Sequence, residues 1–148
     1  MRTCTKCGKE KSEEDFYQGK SHCKLCHLKI MQEYHEKKPA KRWAQATIDK
    51  HRQRGFEINI TTEELEIIYN NSINQPCFYC GCIMKRAKGG TPTLNSPTLD
   101  VIEPYDRDIR LDNIRIICHG CNSAKSMRNH LEYVEHCKQI YFKFGLNT

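Results

Sequence analysis

Ten cysteines stand in this chain of 148 residues, and eight of them fall into four C-x-x-C pairs: Cys4/Cys7, Cys23/Cys26, Cys77/Cys80 and Cys118/Cys121. Each pair can turn two sulfurs and several backbone N–H groups toward one point, and two pairs complete a closed four-thiolate tetrahedron of the kind that holds structural zinc. Cys4, Cys7, Cys23 and Cys26 follow C-x2-C-x15-C-x2-C, a zinc spacing. Cys77, Cys80, Cys118 and Cys121 make the second set across a long insert. Two structural zinc ions are therefore expected. His22 and His27 flank Cys23 and Cys26 and are alternative ligands. Cys82 and Cys137 are left over. Cys82 closely follows a knuckle and is an alternate ligand, though a bystander role is the first expectation. Cys137 falls on a helical apolar stripe, Leu131, Val134, Cys137, Tyr141 and Phe144, and is expected to be a buried core thiol.

A second chemistry is written in oxygen ligands. Asp100 lies in an apolar run, Asn113 opens another, and Asn122 directly follows Cys121. A carboxylate and an amide oxygen are hard ligands that suit Mg2+ or Mn2+ rather than zinc. Each also has a plain reading: a solvated strand face, a turn and a helix cap, respectively.

These groups need elements to position them. "TLDVIEP" and "DNIRIIC" are rich in Ile, Val and Leu and are separated by the polar "YDRDIRL", which predicts a hairpin with a longish loop. "CNSAKS" should start a helix. "NHLEYVEHCKQIYFKFG" is another, with Asn129 and Glu132 as a capping box, and "TTEELEIIYNNS" has the same signature in Thr61 and Glu64. Residues 85–97 read as a loop, with Lys85, Arg86 and Lys88 available to a backbone phosphate. Upstream, Pro39 separates a helix ending near residue 37 from one spanning about 40–54, stopped by Gly55. Lys41, Arg42, Lys50, Arg52 and Arg54 charge this second helix. It reads equally as a solvated linker or a phosphate-binding face, and Trp43 and Phe56 are expected to pack it down.

The bulk numbers agree with a small, stapled domain that has a polyanionic partner. The formal charge is +6, the mean hydropathy is −0.76, and small polar domains usually need staples. The opening "MRTCTKCGKEKSEED" is charged and has no apolar signal core. No apolar run is long enough to span a bilayer. A reducing cytoplasm is expected, where paired cysteines favour metal over disulfides.

On "CFYCG", "LDVIEP", "DNIRIICHGCN" and Lys125, residues 76–137 resemble the HNH endonucleases of ββα-metal fold. "CTKCGKEKSEEDFY…HCKLC" resembles a zinc module found ahead of such nucleases in phage proteins, including relatives of phage recombination endonucleases. The resemblance implies a small zinc-stapled α+β protein, with an N-terminal zinc module at 1–33, a basic helical linker at 34–58 and an HNH domain at 59–148. It implies a hydrolase that nicks or cuts double-stranded or branched DNA with Mg2+ or Mn2+, in the cytoplasm of a bacterial or phage-infected cell. The alternative is an HNH-fold zinc protein that binds DNA without cutting. Asp100 and Asn122 would hold the catalytic ion, Asn113 would fix the loop and orient the general base, and Lys125 would reach a phosphate. The family's base is normally a histidine directly after the aspartate, or arginine in some phage branches. Here that residue is Val101, which can neither accept a proton nor bind phosphate. Glu103, of the same strand parity, is the first substitute, His119 the second, and His130 a distant third.

Overall fold

The computed structural model describes residues 1–87 and 91–145, with the backbone alone for residues 34–37. Lys88 lies outside the described residues. The chain divides into two units between Arg42 and Trp43, within one helix.

In the first unit, β1 (Arg2–Thr3) and β2 (Glu10–Lys11) pair antiparallel, Arg2 opposite Lys11. The turn between them carries Cys4 and Cys7 and closes on Gly8, whose φ of +68° is open to glycine at little cost. A 3-10 turn at Glu13–Asp15 leads into Phe16, which bridges back to Cys23. Helix α1 (Lys24–Lys37) begins inside the second knuckle. The buried interior of this unit is Cys4, Phe16 and Cys23, with Cys26 packed against them. Helix α2 (Pro39–Gln53) then starts with proline in its first turn, where the missing N–H costs no hydrogen bond.

The second unit has a true apolar core. Ala44 and Ile48 of α2 are buried in it together with Ile60, Leu65, Met84, Leu99, Ile109 and Ile117. The basic helix is thus amphipathic rather than solvated all round. Trp43 stacks on Tyr69 with centroids 4.2 Å apart, packing the helix down as expected. After α2 the chain turns at Gly55 into β3 (Glu57–Asn59), then into α3 (Thr62–Ser72), whose capping box is complete.

The hairpin forms from β4 (Pro97–Val101) and a strand spanning Ile114–Cys118, paired antiparallel with Asp100 opposite Arg115. The segment between them is more ordered than a polar loop. It contains β5 (Asp108–Arg110), which pairs in parallel with β3, leaving Ile114–Cys118 as β6. Ile109 is fully buried between two charged neighbours, and three residues are too few for their alternation to stand out in sequence. Helix α4 (His119–Lys125) follows β6 directly and packs on the hairpin, completing a ββα arrangement. Helix α5 (His130–Phe144) has the anticipated capping box from Asn129 and Glu132. Its anticipated apolar stripe is not buried: Leu131, Tyr141 and Phe144 are exposed, and so is Cys137. The helix docks instead through Tyr133, which meets Tyr79 edge-on at 4.9 Å. Among the described residues no helix is long and apolar enough to cross a membrane.

Candidate active site

Both cysteine quartets are assembled as their spacing anticipates. In each, the four sulfurs lie within 4.8 Å of one another. A tetrahedral ion with bonds of about 2.3 Å sets its sulfurs about 3.8 Å apart, and Cys80 and Cys118 are 3.7 Å apart. Backbone N–H groups point at the sulfurs: Cys23 N donates to Cys4 Sγ at 3.2 Å, and Cys118 N to Cys77 Sγ at 3.4 Å. Burial would push the Cys4 thiol up, but N–H groups of Cys23, Cys7 and Lys6 bring it down to about 5. In the second quartet a hydrogen bond from the backbone of Cys82 is the largest influence bringing Cys80 down to about 6. Burial pushes the other way on their partners, raising Cys26 to about 12 and Cys118 and Cys121 above the ordinary thiol value, so one sulfur of each quartet is the readier thiolate and a metal must displace protons from the rest. Both quartets therefore fit zinc. Cys82 stands outside the second quartet. His22 and His27 stand outside the first and bond each other instead, Nε2 to Nδ1 at 3.0 Å.

The second quartet is built into the site of the oxygen ligands. Cys118 caps α4, its Sγ accepting from Cys121 N at 3.3 Å. This places Asn122 and Lys125 one turn apart over β4. Asn122 Nδ2 donates to Leu99 O at 3.0 Å, which leaves Oδ1 without a hydrogen bond among the described residues. Lys125 Nζ is 2.8 Å from Asp100 Oδ1 and donates to Val101 O, also at 2.8 Å. On the other side, Arg115 Nε meets Asp100 Oδ2 at 2.9 Å. Arg115 is itself gripped by the first knuckle of that quartet. Its guanidinium lies 4.4 Å from the Phe78 ring centre and 4.7 Å from that of Tyr79, and donates to the Tyr79 hydroxyl at 2.5 Å.

These contacts correct the expectation for Lys125. Its side chain is 1% exposed and fully engaged within the protein, so it holds Asp100 rather than a phosphate. Asn113 ties the segment after β4 to the start of β5. It is buried; Oδ1 accepts from Glu103 N at 2.9 Å, and Nδ2 donates to Asp108 O at 2.9 Å and Glu103 O at 3.3 Å. The parity argument for Glu103 fails, because β4 ends at Val101 and Glu103 begins a 3-10 turn with its side chain exposed. His119 is half-buried in the first turn of α4 and is not among the residues lining the cleft beside Asp100. His130 stacks on Tyr79, its Nδ1 3.2 Å from the hydroxyl. Val101 is a core residue, 9% exposed.

Asp100 and Asn122 share a cleft of about 410 Å3 with His51, Arg54 and Arg107. The last three come from the end of the basic helix and from the polar loop between the hairpin strands. The turn at Gly55 brings them in. Its φ is +79°, and a Cβ there would come within 3.2 Å of Arg107 Nη2. Arg107 sits in the left-handed region at φ 51°, uncommon for a bulky residue. Its guanidinium donates to the Arg54 carbonyl and lies 4.9 Å over Phe56. The β3–β5 pairing clamps this corner to the hairpin loop. His51 was missed, although Ala44, Ile48 and His51 recur at i, i+4 and i+7, the spacing of one helix face. Of the other basic residues in α2, Arg42 and Lys50 are exposed, Lys41 is half-buried, and Arg52 pairs with Asp49 at 3.0 Å.

An ionised carboxylate has about four lone-pair directions, and the two cations on Asp100 occupy two. Asn122 lines the same cleft with an amide oxygen, so the donors there are hard oxygens, and Mg2+ typically binds through one or two carboxylates while keeping several waters. The donors fit Mg2+ or Mn2+. One carboxylate among Lys125, Arg115, Arg54 and Arg107 leaves the cleft cationic, suited to an anionic substrate.

No family model and no curated protein matches the chain. Among solved structures, the rare-cutting HNH restriction endonuclease PacI, described for an extraordinary mechanism of DNA perturbation, is similar over 97% of this chain and 96% of its own, at 19% identity and a TM-score of 0.49. That likeness is too distant to carry residue roles across.

Proposed function

We propose that this protein is an HNH-type endonuclease that hydrolyses DNA phosphodiesters with a divalent metal, its two cysteine quartets holding structural zinc. The observation that carries the reading is the shared cleft: a strand carboxylate, a helix-start amide and two arginines converge where a ββα hairpin and helix meet. Asp100 and Asn122 would hold Mg2+ or Mn2+. When bound, such an ion supplies Lewis-acid stabilisation of the phosphate and its leaving oxygen. Arg54 and Arg107 bind the diester anion and orient it. Asn113 fixes the loop between the strands, and Arg115 and Lys125 fix the carboxylate. Lys41, Arg42, Lys50 and Arg52 are further contacts to the DNA backbone. The division into a module at 1–33, basic helices at 34–58 and a nuclease domain at 59–148 belongs to the same proposal.

The test is supercoiled plasmid incubated with zinc-loaded protein, with and without Mg2+ or Mn2+. Metal-dependent nicking is expected, and Asp100→Ala should abolish it. One observation favours a second reading, a protein that binds DNA without cutting: Asp100 is already paired with two cations. Tight, salt-dependent DNA binding with no nicking under either ion would establish that reading instead.

A further inference from the structure

We infer that His51 of α2 is the general base that deprotonates the attacking water. This rests on the nuclease reading. The cleft containing Asp100 and Asn122 is also lined by His51, and by no other imidazole among the described residues. Its Nδ1 is 2.8 Å from the carbonyl oxygen of Thr47. A carbonyl can only accept, so Nδ1 carries the hydrogen and Nε2 keeps its lone pair. Phe56 stands edge-on to the ring, 5.4 Å away at 85°, and fixes its plane. Burial is the largest influence on the proton affinity and lowers it. The Thr47 contact opposes this, and Arg54 and Lys50 act with burial. The neutral imidazole, the form a base needs, is thereby favoured at neutral pH.

The same site explains why a valine is tolerated after the aspartate. Val101 contributes to the core, and the proton acceptor comes from another helix on the rim of the cleft. In the step itself, one water proton passes to Nε2 while the water oxygen forms a bond to phosphorus. The bond from phosphorus to the leaving sugar oxygen breaks, and that oxygen takes a proton from solvent. The imidazolium then returns its proton to solvent. One water is consumed, and a phosphomonoester and a hydroxyl end are released.

The experiment uses full-length, zinc-loaded protein and its His51→Gln and His51→Ala variants. Single-turnover nicking of supercoiled plasmid should slow by about 100- to 10,000-fold, the usual range for general-base help, with DNA affinity unchanged. Added imidazole should restore part of the His51→Ala rate and none of the Asp100→Ala rate. Separately, the 15N shifts of the unmodified protein without Mg2+ or Mn2+ should show the Nδ1–H tautomer at His51. If the parent nicks and His51→Gln nicks equally fast, the base is elsewhere and the nuclease reading stands. An Nε2–H tautomer overturns the assignment likewise. A parent that never nicks removes the nuclease reading and this role together.

Discussion

The two cysteine quartets have the same ligands and different surroundings. In the first, the contacting cysteines Cys4 and Cys23 are 19 residues apart, and among the described residues the buried cluster around them adds only Phe16 and Cys26. In the second, Cys77 and Cys118 are 41 residues apart, and the sulfurs border a core of Ile, Leu, Val and Met side chains. A metal in the first quartet stands in for a core. In the second it clasps elements that already bury apolar surface, and it reaches the cleft by two routes: Cys118 and Cys121 set the start of α4, and Phe78 and Tyr79 hold Arg115 against Asp100. The same four-sulfur set would therefore serve folding in one unit and the positioning of the cleft residues in the other.

The comparison is broken most directly at the metal. Structural zinc in isolated finger peptides contributes about 10–16 kcal/mol, more than so small an interior can replace. Cys4→Ser should abolish amide-exchange protection throughout residues 1–30 and leave the second unit's pattern unchanged. Persistent protection in residues 1–30 would mean that the first unit has a core of its own.

A smaller effect sharpens the role of the second unit's polar centre. Lys125→Met removes one partner of a buried ion pair, a change that typically costs about 3–5 kcal/mol. The denaturation midpoint of the second unit should fall accordingly, with residues 1–30 keeping their exchange pattern. A neutral result would show that Arg115 alone satisfies Asp100.

The smallest effect lies at the capping box of α3. Thr61→Ala should cost about 1 kcal/mol in the second unit. The Thr61 backbone N–H holds the Glu64 carboxyl below its ordinary value, assisted by the Thr61 hydroxyl. Because the folded value is depressed, this contribution is present above the ordinary glutamate range and is lost as pH falls through it. Acid titration of the Thr61→Ala variant should therefore show a weaker pH dependence of stability than the parent.

What the sequence disclosed follows the strength of its local signals. The quartets, the hairpin around Asp100, the Pro39 break and both capping boxes rest on short-range chemistry, and each was legible. The burial of α5 was not, because an apolar stripe records what a helix can bury and not whether a neighbour covers it. Strand β5 was hidden by its three residues, whose pairing depends on a segment about fifty positions earlier. Lys125 looked like a phosphate ligand because a lysine is rarely buried. Only the fold supplies the carboxylate that makes its burial tolerable. His51 sat inside "DKHRQRG", where charge masks its place on the buried stripe with Ala44 and Ile48.

The 41-residue gap between Cys77 and Cys118 has a consequence for synthesis. Ribosomes add about 5–20 residues per second, so Cys77 and Cys80 emerge seconds before their partners exist. The first quartet is complete once Cys26 has left the exit tunnel and can close early. The second must wait as an open dithiol, exposed to oxidants and to competing metals, until Cys121 arrives. The nascent chain is thus most vulnerable in the interval just before its cleft can form.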